Sequence, residues 1–218
     1  MPGEFKNTDS SMPDFKFKSC HYSWYYRYGE NGEGAPSDTH PNNIRKDHRG
    51  RVNFDQRVPH QSKEILENMT GYTTLAEAYT DLFELLRILK HYLPDDYDEL
   101  SMHVEALPLD ASSPSYPFGG FVINVCACTW AHRDEGDKRL CLVIPFGPFT
   151  GGQLCLYEAG LSFDLKLGDI LVFPSCDLTH FNLHFKGLRG TLVLHSDRQG
   201  DKWVRDCNGW SAHVVRHQ

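Results

Sequence analysis

Three side chains in the middle of this chain have types and spacing suited to metal chemistry: His132, Asp134 two residues on, and the distant His180. Two imidazoles and one carboxylate form a three-point set that can hold non-haem Fe(II) on one face and leave the opposite positions open for oxygen chemistry. Arg189 follows on the same stretch. Its planar fork suits a carboxylate bidentately, and 2-oxoglutarate, the usual co-substrate of such iron sites, carries a spare carboxylate that must be anchored.

The ordered series around these residues sharpens the reading. The HRD triplet is followed by a Gly-Gly turn at Gly151 and Gly152, an LxxGD turn from Leu165 to Asp169, then His180, and then Gly187, Leu188 and Arg189. Strand alternation from Arg189 puts Thr191 and Val193 on its side, so a guanidinium and a hydroxyl would share one wall and grip the far carboxylate of the 2-oxo acid. Asn124 is a polar residue inside the apolar run Gly120 to Val125. A buried amide there needs partners, either the 2-oxo acid, an iron ligand or a purely structural bond. His184 and His195 are alternatives to His180 as the third ligand. Asp137, Lys138 and Arg139 read either as the site's entrance or as a polar turn.

The elements that must position these groups are legible in outline. From Gly119 onward short apolar runs at 120–130, 140–147, 152–158, 161–167, 170–174, 178–185 and 189–196 are separated by Gly and Asp turns. Leu161, Phe163, Leu165 and Leu167 alternate with polar residues, the period of a half-buried strand. Upstream, Thr74 and Glu77 fit a capping box, and Leu75, Tyr79, Leu82, Phe83, Leu86, Leu89 and Leu93 repeat at helical steps. Pro94 stops that helix, and Asp95 or Asp96 can cap a shorter one through Tyr97, Leu100 and Val104. Strands after a helical block, without βαβ alternation, predict an α+β, mainly β fold: a double-stranded β-helix (jelly-roll) barrel backed by helices.

Three stretches differ in texture. Residues 1–63 read as an irregular N-terminal arm, loose over its first ten or so residues, and 64–218 as the catalytic domain, with helices over 74–107, the jelly-roll core over 119–197 and a tail over 198–218. Trp203, Arg205, Asp206 and Trp210 read as docking that tail. The 218 residues carry a formal charge of −7, so any nucleic-acid contact must be a local patch. One candidate is the basic stretch 40–63, with Arg45, Lys46, Arg49, Arg51, Arg57 and Lys63 against Asp47 and Asp55, which can follow a DNA or RNA backbone or simply be a solvated surface. No apolar run approaches the ~20 residues of a membrane span and the first residues lack a secretory pattern. The seven cysteines form no CxxC pair and read as free thiols of a reduced compartment, so the expected location is intracellular, nuclear or cytoplasmic.

The segment running from FGGFVINVCACTWAHRDEGDKRL through FPSCDLTHFNLHFKGLRGTLVLHSDR resembles the core of Fe(II)/2-oxoglutarate dioxygenases. Within them it resembles the TET/JBP-like enzymes of mushroom-forming fungi. The likeness extends to HYSWYYRYG, APSDTHPNN and DKWVRDCNGW. The resemblance implies His132, Asp134 and His180 as iron ligands, Arg189 as the 2-oxoglutarate anchor, and O2 as the oxidant. It also implies oxidation of methyl groups on nucleic-acid bases (5-methylcytosine, thymine or N6-methyladenine) by hydrogen abstraction and hydroxylation, with the base out of its stack. Two other readings stand beside it: the same chemistry on a protein side chain or small molecule, and a catalytically silent jelly-roll that only binds.

Overall fold

A computed structural model of the chain describes residues 8–25, 60–106 and 113–205. They divide into two compact units. One comprises 1–21 with 121–195, and the other comprises 22–120 with 196–218.

The first unit is antiparallel β-structure, and its strands are short because glycines and polar turns interrupt every apolar run. β1 (Lys18–Tyr25), β3 (Gly120–Val125), β4 (Cys141–Phe146), β8 (Leu171–Phe173) and β11 (Gly190–His195) lie in the order β1-β3-β11-β4-β8. The β11–β4 register sets Thr191 against Pro145 and Val193 against Val143. A three-stranded sheet, β7-β6-β9, is made by β6 (Leu154–Leu156), β7 (Leu161–Phe163) and β9 (His180–Asn182), with Leu156 opposite His180. β5 (Phe149–Gly151) and β10 (Phe185–Gly187) form a third sheet. Residues 8–10 extend along β10: Gly187 N–H donates to Thr8 O (2.8 Å), Ser10 N–H to Phe185 O (3.1 Å), and Phe185 N–H to Ser10 Oγ (2.8 Å). The core between the sheets is Cys141, Val143, Leu154, Leu156 and Phe173, with Val193 and Phe163 packed on it.

The second unit holds β2 (His60–Gln61), paired with the end of β1, and the helices α1 (Lys63–Glu67), α2 (Met69–Ala78), α3 (Thr80–Leu85), α4 (Ile88–Tyr92), α5 (Pro94–Glu105) and α6 (Gly200–Arg205). Its buried side chains include Trp24, Ile65, Phe83, Leu86, Leu89, Tyr97, Leu100 and Val104.

The architecture is therefore α+β with antiparallel sheets, as expected, while no closed barrel is formed among the described residues. Several local expectations are corrected. The helix over 74–93 is broken into α2, α3 and α4, although its apolar face is the one turned inward. Its cap is Asn68, whose side chain accepts from Gly71 N–H (2.9 Å), while Thr74 lies inside α2 with its hydroxyl donating to Thr70 O (3.0 Å). Pro94 does end the run, and it opens α5 at the first helical position. Asp95 and Asp96 then fall in the first turn rather than at the cap.

The strand from Gly120 stops at Val125 because Cys126 turns to φ +57° and gives its N–H to Arg189 O (2.6 Å). Of the alternating leucines, Leu161 and Leu167 are exposed and only Phe163 and Leu165 touch the core, since β7 is the edge of its sheet. β1 lies inside the stretch expected to be irregular, and β5 and β10 were not foreseen as separate strands. All described cysteines are free thiols. No helix of the described residues is long and apolar enough to cross a membrane.

Candidate metal centre

His132, Asp134 and His180 come together in the first unit, each offering one ligand atom, with all three atoms within 4.8 Å of one another. The main chain sets this spacing. His132 N–H donates to His180 O (3.1 Å) and His180 N–H to His132 O (2.9 Å), a reciprocal pair that locks the HRD turn against β9. Asp134 is fixed by its own N–H donating to Ser175 O (3.0 Å).

The imidazoles are oriented by the same logic. Nδ1 of His132 lies 2.6 Å from Trp130 O and Nδ1 of His180 lies 3.0 Å from Leu178 O. A carbonyl can only accept, so each Nδ1 carries the proton and each Nε2 presents its lone pair. Both Nε2 atoms face the carboxylate, 3.6 Å from Asp134 Oδ1 for His132 and 3.4 Å from Asp134 Oδ2 for His180. The rings are 4.3 Å apart, and Phe173 meets His180 edge-on at 5.0 Å, tying the site to the core. A metal ligand whose second nitrogen donates to a carbonyl is held in the correct tautomer and direction.

Electrostatics agrees with that geometry. Burial pushes the Asp134 carboxyl up, but the bonded and charged His180, then His132 and His195, outweigh it and hold it below its usual range. Burial pushes His180 down, and its bonds to Asp134 and Leu178 O outweigh it and raise it. In the metal-free site the carboxylate and the imidazole each favour the other's charged form.

Arg189, immediately before β11, is only 3% exposed. Its guanidinium lies over the rings of Phe149 (5.5 Å) and Phe185 (5.8 Å), Nη1 reaches Ala127 O at 3.4 Å, and Nε has no hydrogen-bond partner. Among the described residues no carboxylate pairs with it. Desolvation lowers its proton affinity. Gly152, at φ +75°, makes the space: a Cβ there would lie 2.8 Å from Arg189 Nε. Thr191 is buried on the following strand. Val193, two residues on, packs into the cluster that contains Phe173, whose ring edges His180.

The remaining sequence candidates fall elsewhere. Asn124 Oδ1 accepts from the Ser19 hydroxyl. Neither alternative histidine joins the cluster: His184 Nδ1 meets Ser10 Oγ at 3.3 Å, and His195 Nδ1 lies 3.2 Å from Asp137 Oδ1. Asp137, read from sequence as part of an entrance or a polar turn, does close the turn from Asp134, and its side chain is buried there. It accepts from the Ser175 hydroxyl (3.0 Å), and its own N–H donates to Asp134 O (2.8 Å). No local pattern marks the role of its side chain, whose partners Ser175 and His195 are distant in the chain. The basic residues of 40–59, and Asp206 and Trp210, lie outside the described residues. Lys63 pairs with Glu67 (3.3 Å) along α1.

No protein-family model matches the chain, nor does any curated protein sequence. Solved structures do resemble it. NgTET1 in complex with 5mC DNA superposes with a TM-score of 0.50 at 16% identity, covering 66% of this chain and 57% of that one. This likeness is one of fold, and the chain spans a little over half the length of the NgTET1 chain. A 2OG-Fe(II) oxygenase family oxidoreductase from Burkholderia pseudomallei aligns at 22% identity over 36% of this chain and 43% of its own (TM-score 0.32). A Pseudomonas putida prolyl-4-hydroxylase aligns at 24% identity over 38% and 51% (TM-score 0.30).

Proposed function

We propose that this chain is an Fe(II)- and 2-oxoglutarate-dependent dioxygenase on a double-stranded β-helix scaffold, and that its substrate is a methyl group on a nucleic-acid base. The observation that carries the reading is the convergence of two Nε2 lone pairs and one carboxylate on one point, with no fourth protein ligand among the described residues. Such a mixed N/O donor set fits Fe(II) with positions left for co-substrates.

Residues His132, Asp134 and His180 would hold the iron, which when bound would supply the activation of O2 needed to oxidise a C–H bond. The protein's own work is positional. Arg189, buried and without a carboxylate, would receive one carboxylate of 2-oxoglutarate, and Thr191 would add a hydroxyl. An unpaired cation in an apolar box is costly unless an anion completes it, which gives the site its selectivity for a diacid. The Phe149 and Phe185 rings against the guanidinium keep water from competing for that contact.

The base as substrate is supported by the shared fold with NgTET1, solved on 5mC DNA, and by the basic run within 40–63. Such an enzyme would work in the nucleus or cytoplasm. The test is to incubate the iron-loaded chain with 2-oxoglutarate, ascorbate and methylated DNA or RNA oligonucleotides, then follow succinate and product mass. A gain of one oxygen, or loss of a methyl, on a base is expected. Succinate without any change in the oligonucleotides would move the substrate to a protein or metabolite, and no succinate under any condition would leave a binding module.

A further inference from the structure

The segments that carry the three ligands are also joined by a second set of side chains. Arg133 stands between His132 and Asp134, and Thr179 immediately precedes His180. Both are bound by one carboxylate, that of Glu158 in the turn between β6 and β7. Glu158 Oε1 accepts from the Thr179 hydroxyl (2.6 Å) and from Arg133 Nη2 (2.6 Å), and Oε2 accepts from Thr179 N–H (2.7 Å). Arg133 Nε donates in turn to Thr179 Oγ1 (3.1 Å), closing the ring of bonds. The turn itself is pinned to the same place by Tyr157 N–H donating to Thr179 O (2.8 Å).

We propose that Glu158 is the positioning residue of the metal centre: it clips the HRD turn to the strand bearing His180 and sets the gap between their ligands before any metal arrives. This rests on the reading of His132, Asp134 and His180 as metal ligands. The reciprocal main-chain bonds between His132 and His180 fix the two strands at a single point. Two segments joined at one point can still swivel, and a second tie through the residue next to each imidazole removes that freedom. Glu158 is fit for this because it stays ionised: the Thr179 hydroxyl and then Arg133 hold its carboxyl down to about 2. The ion pair is partly exposed, so its own contribution to stability is small. Its effect belongs to geometry, and geometry is read by metal affinity.

Cobalt(II) titration, followed by its visible absorption on the full chain, separates these contributions. The wild type is expected to take up Co(II), and His180→Ala to lose it. Glu158→Ala should bind about 10–100-fold more weakly, the usual cost of removing a partner that orients ligands, while the metal-free melting temperature shifts little. Glu158→Gln keeps the volume and one acceptor oxygen and should restore part of the affinity. Thr179→Val, which removes one arm of the clip, should weaken binding less than Glu158→Ala and add little to it in the double variant. If Glu158→Ala fails to fold, Glu158→Gln and Thr179→Val decide. Co(II) affinity within about twofold of wild type in the variants that fold would overturn the clip while leaving the metal centre standing. Wild-type protein that binds no Co(II), or His180→Ala that binds it normally, would overturn the metal centre and the clip together.

Discussion

A guanidinium sealed from water and left without a carboxylate keeps its charge at a cost of several kcal/mol, against which Arg189 has, among the described residues, its contacts with Phe149 and Phe185 and one long bond to Ala127. Contacts of that kind return about 0.5–2 kcal/mol. Arg189→Met, which keeps the bulk and drops the charge, should therefore raise the melting temperature of the ligand-free protein by roughly 2–4 °C per kcal/mol relieved. It should also abolish 2-oxoglutarate binding by calorimetry; a destabilised variant would mean that the cation is satisfied in the free protein. The ligand pair makes the complementary case. His180 is raised above 6.5, so its contribution to stability is complete below 6.5 and is lost as pH rises through its folded value. Asp134 is lowered below 3.8, so its contribution is complete above 3.8 and is lost as pH falls through its folded value. Metal-free wild type should exceed Asp134→Asn in melting temperature by the widest margin between pH 3.8 and 6.5, narrowing on either side.

At the scale of elements, the β5–β10 ladder shows how a turn serves a site. Gly151, which ends β5, and Gly152, just after it, both hold left-handed backbone, and of the two Gly152 alone borders Arg189. Gly152→Ala combines backbone strain of about 1–2 kcal/mol with a Cβ pressed on the guanidinium, so it should lower the melting temperature and weaken 2-oxoglutarate binding together. Gly160→Ala is the control. It has the same backbone hand, at φ +64°, with open space around the added carbon, and should cost stability with 2-oxoglutarate affinity unchanged.

The difference between these glycines could not be read from the sequence, where both are simply turn residues. His132, Asp134, His180 and Arg189 were legible because few jobs other than metal and carboxylate binding ask for those types in that order. Asp137 and Glu158 were not, since what defines them is a partner far away in the chain: Ser175 and His195 for one, Arg133 and Thr179 for the other. The helical face from Leu75 to Leu93 was visible because periodicity reports burial directly, whereas its breaks at Tyr79 and Leu86 leave that period intact and so carry no signal in it. Alternation at Leu161–Leu167 misled for the opposite reason: it identifies a face but not whether anything covers it.

Across the whole molecule, each compact unit is assembled from two separate pieces of chain. In the β unit the extremes meet in the middle: β11, the final strand, lies between β3 and β4, and residues 8–10 run along β10. For a chain emerging from a ribosome, β3 and β4 are then made early and left with their facing edges open until residues 190–195 appear. Unpaired edges of this kind are templates for association with other chains. A message truncated anywhere before that last strand therefore yields a product that is incomplete at its centre rather than at its end, and such fragments are destined to aggregate.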